Sequence, residues 1–264
     1  MRMKRIVLFV LLALCALASF AKEIQCEGTY KRHLRGIDTD GKVIYWSFTD
    51  CLLKTDMEGK ILLKVEAPSH CGDPCLLNGK LYVPVNRGKF NQPKGASKDF
   101  IYVYDAETLT LQKSVPVPQY DHGVGAIAAY QGHIWVTGGL PEGAPGNIIL
   151  EFTEELEYVK RYDSPGFTQK GIQTLKHLFG HWWFGVYDKP ANVLCDETFQ
   201  VIARPTGMSV SVGMAELPDG TFLVAKSTGT PIDKDNPKKR IWTGSVRFAT
   251  FDAETKTISL RKDK

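Results

Sequence analysis

Four kinds of segment follow one another five times along the chain. A short run of small residues comes first, then a dense apolar and aromatic run, then a run ending in an acidic turn, then an alternating polar and apolar run. The dense runs each follow a turn glycine: Gly41-KVIYW, Gly79-KLYV, Gly132-HIWV, Gly180-HWWF and Gly220-TFLV. Five to nine residues earlier stand the small-residue openings at Gly36, Gly72, Gly125, Gly171 and Gly213. The third runs read LLKTDMEG, IYVYDAETL, IILEFTEEL, NVLCDETF and RFATFDAET, and the fourth ILLKVEAP, LQKSVPVP, YVKRYDSP, QVIARP and ISLRK. Each run has the length and period of a strand, and helical periodicity is absent beyond the first twenty residues.

The turn glycines are separated by 38, 53, 48 and 40 residues. Four short strands in a unit of that size make a propeller blade. Small residues suit innermost strands crowded around an axis, and an all-apolar second strand suits one covered on both faces by neighbouring blades. The pattern therefore predicts an all-β fold, a five-bladed β-propeller of four-stranded antiparallel blades. A β-sandwich also has many short strands, but it would not repeat the same four-part order five times. The segment Glu23–Tyr30 is left over and is expected to add a strand to the last blade, latching the ring.

The first 21 residues stand apart. Met1–Arg5 is basic, Ile6–Ala18 is apolar, and Ser19-Phe20-Ala21 has the small-x-small form of a cleavage site, so residues 1–21 read as a signal peptide and 22–264 as one domain. Acylation at Cys15 is the lesser alternative, because Leu14 occupies the place where a small residue is needed. A secreted or periplasmic monomer with no membrane span is expected. Across the whole chain 33 Lys and Arg oppose 29 Asp and Glu; without Arg2, Lys4 and Arg5 the balance is nearly neutral, which argues against nucleic acid as a partner. Five cysteines remain, Cys26, Cys51, Cys71, Cys75 and Cys195, an odd number that permits at most two bridges. Cys51 and Cys71 are the expected pair, since both should approach one face.

The segments RGIDTDGKVIYW, LLKTDMEGKIL and FIYVYDAETL resemble the secreted propellers that include the NHL, YncE-like and SMP-30/gluconolactonase groups. The runs HCGDPCLLNGKLYVPVNRGKFN and HGVGAIAAYQGHIWVTGGLPEG resemble exported bacterial propellers of unassigned function. The resemblance implies fold and export. It carries no catalytic residue over, because these pieces are blade grammar.

Propeller topology sends the loops before the innermost strands, and those between second and third strands, to one face. His33, His70 and His122 stand before three consecutive innermost strands. Three converging imidazoles could hold a divalent metal with open positions, so they are the candidate metal ligands. His70, His122 and Arg35 are the candidate catalytic groups, with one imidazole as general base and Arg35 holding a carboxylate. Asp73, Asn86, Arg87, Lys89, Glu142 and Gln169 are the candidate substrate-binding wall. Three loops on this face are long: 86–99, 138–147 and 226–243. His133, His177 and His181 read as structural, Trp182 and Trp183 as packing toward opposite blade faces, and Trp242 as the tryptophan nearest a ligand.

A polar, cation-lined pocket suits a carbohydrate or sugar acid, used by a hydrolase or lyase. The other reading is a non-catalytic propeller binding a glycan or a protein. Neither GxSxG, HExxH, a P-loop nor a dinucleotide fingerprint is present, which disfavours serine hydrolases, zincins, nucleoside triphosphatases and dehydrogenases.

Overall fold

The computed structural model describes residues 23–261, so the expected signal peptide lies outside the described residues. A short strand β1 (Glu23–Gln25) precedes the first blade, which is β2 (Leu34–Thr39), β3 (Val43–Phe48), β4 (Cys51–Asp56) and β5 (Ile61–Glu66). The second is β6 (Cys75–Leu77), β7 (Lys80–Asn86), β8 (Asp99–Asp105) and β9 (Leu111–Pro116). The third is β10 (Val124–Tyr130), β11 (His133–Gly138), β12 (Gly146–Thr153) and β13 (Tyr158–Pro165). The fourth is β14 (Thr174–Leu178), β15 (His181–Gly185), β16 (Asn192–Cys195) and β17 (Val201–Ala203). After the two-residue strand β18 (Thr206–Gly207), the fifth is β19 (Met214–Glu216), β20 (Phe222–Pro231), β21 (Arg240–Asp252) and β22 (Thr257–Leu260). Strands within each blade pair in sequence order and antiparallel, so the fold is the expected five-bladed propeller.

Ring closure uses both ends of the described chain. The outer edge of β21 pairs with β1 at Ser245–Arg247 and with β22 at Ala249–Asp252. The latch continues past β1: Cys26 N donates to Gly244 O at 2.9 Å, and Tyr30 and Trp242 exchange backbone hydrogen bonds of 2.8 Å each. Ile24, Cys26 and Tyr30 are buried, and Tyr30 stacks on Phe48 of the first blade. The segment thus seals the last blade to the first.

Five apolar clusters fill the spaces between adjacent blades. The second strands feed two clusters each, because successive side chains point to opposite faces. Tyr45 joins the layer shared with the second blade while Ile44 and Trp46 join the layer shared with the fifth. Trp182 and Trp183 divide in the same way, as their adjacency requires.

The axis is narrow. A Cβ on Gly36 would lie 2.2 Å from Asp73 Oδ1, and one on Gly72 would lie 2.1 Å from Gly125 O. Backbone therefore approaches backbone at the positions where the sequence places its small residues.

Two expectations need correction. The Cys51–Cys71 bridge is not formed: all five described cysteines are free and buried. Cys71 Sγ donates to Pro68 O at 3.2 Å, and burial pushes the Cys51 thiol up to about 12. These thiols behave as small apolar residues in interblade layers. The segment 226–243 is not a loop either. It continues β20 and β21 as a ribbon paired from Lys226↔Ser245 to Pro231↔Arg240, with 232–239 as its connecting turn.

Candidate functional site

The innermost strands all start at the loop-rich face, and segments of four blades converge there on a cavity of about 240 Å3. Its wall combines His33 and Arg35 from the first blade, His70, Phe90 and Asn91 from the second, Gly125 and Gly139 from the third, and Lys170, Ile172, Gln173 and Tyr187 from the fourth.

Arg35 is the centre of the site. Its Nη1 donates to Tyr187 Oη at 3.2 Å and its Nη2 to Gln173 Oε1 at 3.2 Å, while Nη1 lies 3.5 Å from His33 Nε2. Gln173 is buried and is itself oriented by the carbonyls of Lys170 and Gly171, at 2.9 and 3.2 Å. The guanidinium is thus braced across the axis by a different blade. Among the described residues its buried Nε has no partner, and neither has His70 Nδ1. Among the described residues, no carboxylate lines this mouth.

The two imidazoles are 6.2 Å apart, centroid to centroid. His33 packs against Trp242 at 5.4 Å and His70 against Phe90 at 5.2 Å. Burial, aided by the charges of Arg35 and Arg32, lowers both from 6.5 to about 4. Both rings are therefore neutral at ordinary pH. Because they resist protonation only when folded, they favour the folded state above pH 6.5, and that contribution is lost as the pH falls toward 4. Replacing both by Gln is expected to flatten the decline of Tm across that window, as thermal melts at stepped pH would show. An unchanged profile would mean that other groups dominate acid sensitivity.

The sequence-derived set divides on inspection. His33, His70 and Arg35 come together. His122 does not join them: its Nδ1 donates to Gln92 O at 2.8 Å, and the ring lines another cavity with Leu140, Pro145 and Arg161. Its hydrogen bond to the loop that follows Asn86 holds it at that second cavity. Three imidazoles therefore do not meet, and among the described residues no group of three His, Cys, Asp or Glu side chains could hold a metal ion. The remaining pair lies beside a guanidinium, which repels a cation, so the mouth does not fit the divalent metal anticipated from sequence.

The anticipated wall is displaced too. Asp73 is fully buried beneath the mouth, with Oδ2 accepting from Leu175 N at 3.2 Å. Asn86 is buried and organises its own loop, its Oδ1 accepting from Gly88 N and Lys98 N at 2.7 and 3.0 Å. Arg87, Lys89, Glu142 and Gln169 are exposed and lie outside the cavity wall. The site instead uses Phe90, Asn91, Lys170, Gln173 and Tyr187. Gln173 lies four residues beyond the glutamine chosen from sequence, past the glycine that starts the strand. Tyr187 sits in a second-to-third-strand loop too short for loop length to flag.

At the other end of the axis, a cavity of about 450 Å3 is lined by Asp38, Asp40, Lys176, His177 and Glu216 among others. Asp38 is neutralised by Lys176 at 3.0 Å, and His177 stacks on Tyr130 with Nε2 2.7 Å from Glu197. Asp38, Lys176 and His177 are thus engaged with protein partners.

No family model matches the chain, and no curated protein matches it. Among solved structures, it is similar to Myxococcus xanthus glutaminyl cyclase, with TM-score 0.56 and 11% identity over 87% of this chain and 96% of that one. It is also similar to a protein of unknown function from Bacteroides thetaiotaomicron VPI-5482, with TM-score 0.56 and 11% identity over 91% and 60%. A third is an engineered GH43 glycoside hydrolase displaying endo-xylanase and exo-arabinofuranosidase activity, with TM-score 0.57 and 11% identity over 93% and 55%. The chain thus spans nearly all of the cyclase but little more than half of the other two. What is shared at such identity is the propeller fold, on which enzymes are among the neighbours.

Proposed function

We propose that the loop-face mouth binds a small carboxylate ligand of the sugar-acid class. One observation carries this: a braced guanidinium lines a cavity whose wall, among the described residues, holds no carboxylate. Such a fork matches a carboxylate geometrically, and Lys170 adds charge of the same sign. The cavity suits one monosaccharide-sized ring, and Phe90 and Tyr187 offer it aromatic surface. Titration calorimetry with galacturonate or glucuronate tests it, with glucose as the neutral control. Uronate is expected to bind and glucose not; equal binding of both, or none of uronate, would refute the reading.

A catalytic use of the same mouth is favoured by the two imidazoles that burial keeps neutral. With the carboxylate on Arg35, His33 or His70 could accept a proton from the adjoining carbon or from a water, as a lyase or hydrolase requires. The acid limb of its pH–rate profile would then fall near pH 4 rather than 6.5. In the non-catalytic alternative, the mouth is the recognition site of an exported glycan-binding propeller.

A further inference from the structure

The nearly neutral mature chain hides a strong division of charge between the two faces of the disc. All five turns between third and fourth strands are acidic, at Asp56-Met57-Glu58, Asp105-Ala106-Glu107, Glu154-Glu155-Leu156-Glu157, Asp196-Glu197 and Asp252-Ala253-Glu254. Three cations near that side are paired, in Lys80–Glu154, Lys176–Asp38 and Arg261–Asp219, and the lysines in its turns, Lys42, Lys60 and Lys256, are outnumbered by the carboxylates there. The loop-rich face is the reverse. Loop 87–98 holds Arg87, Lys89, Lys94 and Lys98, and the ribbon holds Lys226, Lys234, Lys238, Lys239 and Arg240 against Asp233 and Asp235. Lys94 pairs with Asp121 at 3.2 Å, but the other cations of these two elements are exposed and form no ion pair among the described residues.

We infer that this face docks an acidic polysaccharide, which it holds by the loop 87–98 and the ribbon on either side of the mouth. The inference rests on the carboxylate reading of that mouth, extending it from a single uronate to a chain of them. Charge complementarity selects a polyanion. Shape favours a flexible chain over a bilayer. From Lys226 to Pro231 the ribbon runs past the start of its own innermost strand, a length of about 15–20 Å at the usual strand rise. Trp242 on the ribbon packs against His33, so this wall stands at the edge of the mouth and would keep a flat surface from it. A polysaccharide can cross beside such a wall and present one carboxylate-bearing ring to a cavity of about 240 Å3.

The test compares fluorescently labelled oligogalacturonate of about ten units with galacturonate monomer, a neutral oligoglucan, a single-stranded polynucleotide and phosphatidylserine vesicles. The proteins are the mature wild type, a quadruple variant (Lys98→Ser, Lys234→Ser, Lys238→Ser, Lys239→Ser) and Arg35→Met. At low salt the oligomer is expected to bind at least about tenfold more tightly than the monomer, and salt should erase that advantage. The quadruple variant should lose the advantage while keeping the wild-type Tm and monomer affinity. If it keeps the advantage, or if polynucleotide or vesicles bind as tightly as oligogalacturonate, the docking inference falls. Monomer binding without any oligomer advantage overturns docking and leaves the mouth reading intact. Lysine-dependent oligomer binding without monomer binding does the opposite.

Discussion

Replacing Lys176 with Met is expected to destabilise the protein by about 3–5 kcal/mol, lowering Tm by roughly 10 °C. The ammonium is buried at the axis on β14, 3.0 Å from Asp38 Oδ2 and 2.8 Å from Pro74 O. Asp38 Oδ2 also accepts from Leu76 N at 2.7 Å, so the pair ties three blades together. Asp73 lies in the same cluster, its carboxyl raised well above the usual range by burial and drawn back only in part by Lys176. Removing the cation leaves two carboxyl groups in a crowded, poorly solvated channel. A carboxyl whose folded pKa is raised stabilises the fold below its unfolded pKa, and that contribution is lost as pH rises through the folded value. The deficit of the variant should therefore be smaller at pH 5 than at pH 8, and Asp38→Asn in the same background should recover part of it. A deficit identical at both pH values would assign the loss to packing alone. Combining the single and double variants in one cycle isolates the pair from that packing contribution.

Arg35→Met should weaken uronate binding about 30-fold or more, equivalent to about 2 kcal/mol, with little change in Tm. The side chain makes its bonds to Tyr187, which is exposed, and to Gln173, whose amide stays anchored on two backbone carbonyls. Its loss therefore leaves little of the scaffold unsatisfied, whereas the ligand loses its only braced fork. Arg35→Lys should restore charge without the planar geometry and recover only part of the affinity. Calorimetry on the three proteins, with melts recorded beside it, checks both halves. If Arg35→Met binds uronate as wild type does, the carboxylate lies elsewhere and Lys170 becomes the group to replace. If binding and Tm fall together, Arg35 is a strut between the first and fourth blades.

The same two residues mark how far sequence reading reaches. The pattern of small, apolar, acidic-turn and amphipathic segments predicts five blades, and strand order and pairing in the structure follow it closely. Even the latch was legible, because Glu23–Tyr30 was surplus to five complete units. Periodicity carries such information because it records which face of a strand is covered, and every blade covers its strands alike. Repeat position also groups His33, Arg35 and His70, and the three line one cavity in the structure.

What the repeat could not decide is where a side chain goes once neighbouring blades crowd it. His122 occupies the same place in its unit as His33 and His70, yet it bonds to Gln92 and lines a different cavity. Asp73 stands beside a channel glycine, and only the 2.2 Å approach of a Cβ at Gly36 shows that it is packed into the axis rather than exposed in the wall. Lys176 reads as an ordinary charge in a strand, but convergence of three blades buries it and makes it the counterion of the half-buried Asp38. Gln173 and Tyr187 become functional candidates only because the fourth blade faces the first across the axis, 138 and 152 residues from Arg35 along the chain. Local covering by neighbours is periodic and is written into each strand. Encounters across the axis depend on loop paths and on which side chain fills a narrow space first, and those were settled by the tertiary structure.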